Sequence, residues 1–151
     1  MTPRKLFRTL AFAEAVTWTL LIAALVMKYV FDNEAFTPIF GGLHGFVFLS
    51  YGVVTLFVWN NQRWPLRTGI TGLVTTVIPW ATIPFDLSVD KRGMLDGGWR
   101  LAPGGEEPKT FVDKIQAMVL RRPVASALVA LVGVVAVFLI LLYLGPPIPK
   151  G

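Results

Sequence analysis

Four long apolar blocks, separated by polar segments, dominate the pattern of the chain. They cover about residues 10–31, 38–59, 66–87 and 123–144. Each is close to the roughly 20 residues with which a helix crosses a bilayer. The pattern predicts an all-α, polytopic membrane helical bundle with four transmembrane helices. No repeat or separate soluble segment interrupts it, so we expect a single membrane domain over 1–151.

The first two blocks differ in how they begin. The first follows a basic N-terminal segment, but it is too long for the apolar region of a signal peptide and contains Glu14, so we expect a retained helix. Lys28 near its end is spaced to pair with Asp32. The second block carries Gly41, Gly42 and Gly45, which make one stretch of this helix thin. A neighbouring helix can approach closely there, so these are the predicted helix-packing glycines.

The third block departs most from an ordinary membrane helix. It holds Pro79 and Pro84 together with threonines that include Thr71, Thr75, Thr76 and Thr82. Proline removes a backbone donor and kinks a helix. We predict a span kinked by its prolines, with a re-entrant half-helix as the alternative. The fourth block has no charged residue and is expected to stop at Gly145-Pro146-Pro147.

The segment 88–122 is the long polar stretch of the chain. Its glycines and prolines indicate an irregular loop. Thr110 followed three residues later by Asp113 resembles a capping box. It would open a short amphipathic helix, which we expect to lie at the membrane interface.

Composition supports the membrane interpretation and narrows the chemistry. Hydrophobic residues make up 54% and charged residues 15%, with a mean hydropathy of +0.63; soluble domains carry about 25% charged residues. The chain has no cysteine and one histidine, His44. Disulfides, thiolate metal sites and histidine-rich metal cages are therefore excluded; no metal site is predicted, and no cofactor is identified.

The net charge of +5 comes from basic residues that flank the apolar blocks. This arrangement is typical of contact with lipid headgroups and argues against nucleic acid as a partner. Four spans would leave basic residues on both sides of the membrane. The first block is basic before and acidic after, which favours a cytoplasmic N-terminus in a bacterial inner membrane. A re-entrant third block would bring the basic loop to the same side.

Charged and titratable side chains inside apolar blocks are costly and mark candidate functional sites. They are Glu14, Lys28, His44 and Asp86. We assume that short turns join antiparallel helices without an offset along the membrane normal. Lys28, His44 and Asp86 then lie at the same depth in the membrane, and Glu14 lies toward the opposite side. Such a layer would relay protons, or bind a lipid headgroup or a quinone carbonyl. Alternatively, its members neutralise one another and fix the helix register.

The same residues carry a resemblance to a known family. They are Arg8, the segment 13–18 (Ala-Glu-Ala-Val-Thr-Trp), Lys28-Tyr29, the segment 42–48 (Gly-Leu-His-Gly-Phe-Val-Phe), the segment 78–82 (Ile-Pro-Trp-Ala-Thr) and Asp86. In this order they resemble domain of unknown function 3817, a family of small, YdzA-like bacterial integral membrane proteins, over about residues 4–90. The resemblance implies a helical protein of the bacterial inner membrane and supplies no substrate.

The sequence shows no catalytic motif, which favours a non-enzyme. We interpret the chain as an accessory or interaction subunit of a larger respiratory or cell-envelope complex. Its expected partners are the lipid bilayer and other membrane subunits, or further copies of the chain. The alternatives are a small oligomeric transporter or proton-coupled channel that uses the Lys28–His44–Asp86 layer, and a binder of a quinone or lipid headgroup.

Overall fold

The computed structural model describes the backbone of residues 1–144 and, within 130–144, only part of the side chains. The described chain is helical and divides into two units, Met1–Arg100 and a second unit that begins at Leu101.

Two long helices form the frame of the first unit. Helix α1 covers Pro3–Phe31 and begins with the Thr2 side chain accepting a hydrogen bond from the Lys5 amide. Helix α2 covers Thr37–Gln62, and the left-handed residues Asp32 and Arg63 end α1 and α2. With 29 and 26 residues, the helices are about 44 and 39 Å long. Within the described residues, these two helices are long and apolar enough to cross a membrane.

The third apolar block is not one kinked helix. Helix α3 covers Leu66–Val74, a 3-10 turn covers Thr75–Val77, and helix α4 covers Thr82–Lys91. Between the turn and α4 the backbone reverses through Trp80, whose φ is +61°. A bulky residue rarely adopts this left-handed conformation, so surrounding contacts must hold it in place.

The helices α3 and α4 double back as a helical hairpin. Trp64, just before α3, donates its indole N–H to the Met94 carbonyl at 2.8 Å. Asn61, at the end of α2, donates to the Gly98 carbonyl at 3.1 Å, and Trp99 donates to the Met1 carbonyl at 2.8 Å. Both ends of the hairpin therefore meet the start of α1 and the end of α2. We call this end of the first unit the basic end, because Arg4, Lys5 and Arg8 at the start of α1 and Arg63 after α2 lie there. The shape matches the re-entrant alternative and corrects the kinked span.

An aromatic core joins the four helices near the basic end. Phe7 of α1 has ring-centroid distances of 5.3 Å to Tyr51, 5.7 Å to Trp64 and 6.2 Å to Phe85. Thr82 adds a hydrogen bond of 2.8 Å from α4 to the Ala11 carbonyl of α1. Burying several aromatic rings in edge-on contacts stabilises the meeting of the four elements.

The glycines that pack closely against another helix of the described chain lie in α3. A Cβ atom added at Gly69 would lie 2.0 Å from Cδ2 of Trp59, and one at Gly72 would lie 2.9 Å from Cγ2 of Thr55. By contrast, a Cβ at Gly41, Gly42 or Gly45 would meet nothing within 4 Å. These three glycines contact no other helix of the described chain, and their role in helix packing stays a prediction. The approach of α3 to α2 depends instead on Gly69 and Gly72.

The second unit contains helix α5, Phe111–Arg121, and helix α6, Pro123–Leu144. The predicted capping box is confirmed: the Thr110 hydroxyl accepts from the Asp113 amide, and the Asp113 carboxylate accepts from the Thr110 amide. The bounds of α6 match the fourth apolar block. Its predicted stop at Gly145-Pro146-Pro147 lies outside the described residues.

Candidate functional site

A carboxyl group and the imidazole meet between α1 and α2. The carboxyl of Glu14 is fully buried, and its Oε2 lies 3.8 Å from Nδ1 of His44. Thr17, one helical turn beyond Glu14, places its hydroxyl 3.1 Å from the same Nδ1. The Trp18 ring covers the imidazole at a centroid distance of 4.5 Å. We call Glu14, Thr17, Trp18 and His44 the Glu14–His44 site.

The hydrogen bonds of Thr17 indicate the tautomer of the imidazole. Its hydroxyl donates to the Glu14 carbonyl at 3.1 Å. A hydroxyl has one proton, so Thr17 accepts from Nδ1–H of His44 when this bond is made. In that tautomer Nε2 of His44 has no proton. When the Thr17 hydroxyl turns to donate to Nδ1 instead, the imidazole proton is on Nε2.

The tip of the α3–α4 hairpin closes over the site from a third side. Trp18 donates its indole N–H to the Thr76 carbonyl at 3.1 Å, and Trp80 donates to the Thr19 hydroxyl at 2.9 Å. The second bond holds the left-handed Trp80 against α1. The broken third block therefore supplies a backbone carbonyl and an indole N–H to the middle of the helix pair.

A network of ion pairs lies at the basic end, next to the aromatic core. Arg8 Nε lies 2.9 Å from Oδ2 of the buried Asp86, and Arg8 Nη2 lies 2.6 Å from Oδ2 of Asp90. Arg4 also pairs with Asp90 and lies 3.5 Å from Asp96. We call these residues the arginine–aspartate cluster. It ties α4 to α1 by charge-assisted bonds on top of their apolar contact.

The charge state of Asp90 follows from this cluster. Partial burial alone would raise the pKa of its carboxyl, but hydrogen bonds from Arg8 and Arg4 outweigh burial and hold the pKa below its ordinary value. Asp90 is therefore ionised at neutral pH and keeps both arginines paired.

Tyr51 of α2 carries a buried hydroxyl near the basic end. Its side chain is fully buried, and its ring lies 5.3 Å from that of Phe7, the residue before Arg8. The neighbouring hydroxyls of Thr55 and Thr75 donate to backbone carbonyls. They therefore present oxygen lone pairs and no free proton to the Tyr51 hydroxyl.

The structure does not form the predicted Lys28–His44–Asp86 layer. Lys28 pairs with Glu34 at 3.1 Å, and not with Asp32 as predicted. His44 lies opposite Thr17, eleven residues and about 16 Å along α1 from Lys28. The last turn of α1 projects with exposed side chains, so the helices are not level at their connecting turn. Glu14, predicted on the opposite side from His44, is its neighbour.

The arginine–aspartate cluster was missed as a site. Arg4 and Arg8 are four residues apart on α1, and Asp86 and Asp90 are four residues apart on α4. Such a spacing places both charges of a pair on one helix face. Two matching pairs of opposite charge were the available signal. Finding them also required knowing that α4 returns to the start of α1.

Among the described residues, no group of three or more histidine, aspartate or glutamate side chains is arranged to hold a metal ion. The Glu14–His44 site offers one carboxyl and one imidazole. Its chemistry is that of hydrogen bonding and proton exchange.

Two long apolar helices, a helical hairpin inserted beside them and buried polar groups between them define a small helical membrane protein. The chain matches the family "Domain of unknown function (DUF3817)" over residues 4–91, and it belongs to that family. The resemblance inferred from the sequence is confirmed. The matched region is the first unit with its two polar groups, up to the end of α4.

Two relatives show how the region occurs elsewhere. It is 37% identical over 91 residues to "Putative membrane protein SCO5905" of Streptomyces coelicolor, covering 59% of this chain and 11% of that protein. It is 27% identical over 86 residues to "Uncharacterized membrane protein YdzA" of Bacillus subtilis, covering 56% of this chain and 90% of that protein. The chain therefore spans about one tenth of the first relative and nearly all of the second. No solved structure matches the chain.

Proposed function

We propose that this protein is a non-enzymatic interaction subunit of a larger membrane complex in the bacterial inner membrane. Its contact surface is a face of α2 formed by Gly41, Gly45 and Gly52, called here the glycine face. The observation that carries the proposal is that a Cβ at each of these glycines would meet nothing within 4 Å.

The glycine face has the spacing of a helix-packing motif. Steps of four and seven residues put all three glycines on one side of α2. Glycines spaced four apart let two membrane helices approach closely enough for backbone contacts, which drive association where lipid offers no hydrophobic gain. Since α1 and α3 pack elsewhere on α2, this side is open to a helix from another protein.

The relatives support a role as a module. The same region makes up nearly all of one bacterial membrane protein and about one tenth of another. A unit that occurs both nearly alone and joined to a much larger membrane protein is suited to assembling with other membrane segments. The added second unit of this chain, with the amphipathic α5 and the uncharged α6, would extend the anchoring surface along the interface and into the bilayer.

We also infer the topology. Helix α3 is about 14 Å long, half of the bilayer core, so the hairpin enters from the basic end and returns. The basic end then collects eight cations: Arg4, Lys5, Arg8, Arg63, Arg67, Lys91, Arg92 and Arg100. The opposite end of the α1–α2 pair has Lys28 with Asp32 and Glu34. The positive-inside rule therefore favours a cytoplasmic N-terminus and a re-entrant hairpin.

The interaction role is tested by purification from native membranes in mild detergent, after cross-linking, with identification of partners by mass spectrometry. We expect a stoichiometric larger membrane protein with the native chain and its loss with Gly45→Leu. Gly42→Leu is the matched control, because this glycine is equally open but lies about a quarter turn away around the helix. A lone small species, or a self-associated one without a partner, would refute the subunit role.

The topology is tested with single cysteines, since the native chain has none. Asn33→Cys should react with a membrane-impermeant thiol reagent added to intact spheroplasts. Lys5→Cys and Gly98→Cys should react only after the membrane is opened. Labelling of Gly98→Cys from outside would mean that the third block crosses completely.

A further inference from the structure

We propose that Glu14 and His44 form a proton-binding site inside the bundle, which exchanges its proton with the basic end through Tyr51 and Asp86. The Glu14–His44 site is the storage point, and the arginine–aspartate cluster is the entrance.

The proposal rests on buried polar atoms that lack hydrogen-bond partners. Within the described chain these include both carboxyl oxygens of Glu14 and Oδ1 of Asp86. Buried polar groups are almost always hydrogen-bonded, so each exception needs an explanation. Here one exception lies beside His44 in the middle of α1 and the other at the basic end, where the buried Tyr51 packs against Phe7. Proton exchange along the route between them gives them a common role.

A proton fits the site better than a larger ligand. The side chains of Glu14 and Tyr51 are fully buried, and His44 is 8% exposed. A lipid or quinone would have to displace packed side chains to reach the carboxyl. An ionised carboxylate without a partner in an apolar interior is very costly, so the group holds a proton or shares one with a base. His44 is that base, 3.8 Å away.

The transfer balances within the pair. The step uses the tautomer that carries its proton on Nε2, so that Nδ1 is free. The proton leaves the Glu14 carboxyl and binds Nδ1 of His44, which gives a carboxylate beside an imidazolium with no change in net charge, and the Thr17 hydroxyl then accepts from Nδ1–H. The separation of 3.8 Å exceeds a hydrogen bond, so a small side-chain rotation must accompany the transfer. The nearby Thr17 hydroxyl already contacts Nδ1 at 3.1 Å and keeps the ring oriented.

The route to the basic end passes through Tyr51. Its hydroxyl takes a proton from one side as it gives its own to the other. Asp86 is the next acceptor, with Oδ2 bound by Arg8 and Oδ1 unoccupied. Arg8 has a side chain 38% exposed and is where the route reaches water. The titratable or charged groups along this route in the described chain are, by helix, Arg4, Arg8 and Glu14 from α1, His44 and Tyr51 from α2, and Asp86 and Asp90 from α4. The turn after α3 contributes threonines.

The single histidine makes the test direct. Protein grown with ¹⁵N-labelled histidine, purified without a histidine tag and placed in lipid nanodiscs, gives imidazole signals from His44 alone. We expect these signals to titrate, and Glu14→Gln to lower the proton affinity by about tenfold, as expected when a nearby carboxylate is removed. Glu34→Gln, an exposed residue at the other end of α1, is the matched control. A titration unchanged by Glu14→Gln would overturn the proposal, as would a His44 that does not titrate in the native protein.

The route is tested by the rate of exchange. A rapid pH change followed by infrared spectroscopy reports the buried carboxyl through its carbonyl band, which Glu14→Gln should remove. Tyr51→Phe should slow the change in this band at least tenfold and leave its final amplitude intact. Tyr29→Phe, at an exposed tyrosine, should leave the rate unchanged. An equal rate in Tyr51→Phe and the native protein would refute the route, and the absence of the band in the folded native protein would refute the site.

Discussion

Replacing Gly69 by alanine is expected to separate α3 from α2. The added Cβ would lie 2.0, 2.2 and 2.3 Å from three ring atoms of Trp59, whereas carbon atoms in contact are about 3.5–4.0 Å apart. The ring must therefore move by about 1.5 Å. It is not free to do so, because Trp59 donates its indole N–H to the Trp64 carbonyl at 2.9 Å, just before α3.

The magnitude follows from these two effects. Overpacking typically costs about 1–3 kcal/mol, and a lost hydrogen bond about 1 kcal/mol. We therefore expect Gly69→Ala to lower the free energy of unfolding by about 2–4 kcal/mol. Gly42→Ala adds the same methyl group to a helix position without neighbours. It should change stability by less than about 1 kcal/mol, and alanine's higher helix propensity makes a gain the expected direction.

The assay is reversible unfolding in mixed micelles with increasing SDS, followed by circular dichroism. A double variant that also carries Trp59→Leu measures the interaction energy between the two positions. Without the indole ring, Gly69→Ala should lower the free energy of unfolding much less than it does in the native background. If Gly69→Ala unfolds at the same SDS fraction as Gly42→Ala, the close approach of α3 to α2 through Gly69 is wrong.

Three further predictions concern charges and caps. Arg8→Ala leaves the buried Asp86 without its cation and should cost about 3 kcal/mol in the same assay, whereas the exposed Lys5→Ala should cost little. Because Arg8 and Arg4 hold the pKa of Asp90 below its ordinary value, its stabilising contribution is present above the unfolded pKa and is lost as the pH falls through the folded one; Asp90→Asn should flatten this acid-side loss, and an unchanged pH profile would contradict it. Thr110→Ala removes the capping box and should destabilise α5 by about 1 kcal/mol, visible as faster amide hydrogen exchange in its first turn, whereas Thr110→Ser should restore protection.

The apolar pattern predicted the helices well where one helix matches one block. The bounds of α1, α2 and α6 follow the first, second and fourth blocks, because an uninterrupted apolar run has no better conformation in lipid. The capping box at Thr110 was also readable, since it depends on neighbours in the chain. The third block was harder, because prolines and threonines are compatible with both a kinked helix and a reversal. The reversal depends on Trp80 bonding to Thr19, and no local pattern reveals this distant contact.

The sequence singled out individual residues but not their grouping. Glu14, His44 and Asp86 stand out because a titratable side chain in an apolar block is rarely placed there without partners, and the structure buries all three; their functional role stays a prediction. Their partners were predicted wrongly, because the depth of each residue in the membrane was inferred by assuming antiparallel helices with no offset along their axes. The offset of α1 against α2 and the return of α4 moved Glu14 to His44 and Asp86 to Arg8.

The helical hairpin also bears on how the protein enters the membrane during synthesis. A fully crossing third segment would oblige the translocation machinery to carry the charged segment beyond Lys91 to the far side. With the hairpin re-entrant, Arg67 and Lys91, which flank it, stay on the side where they are made. The hairpin can then slide in from that side after α1 and α2 have been inserted as a pair, with the aromatic core providing the driving force. In the proposed topology, insertion of the family region would require the export of a single short loop, residues 32–36.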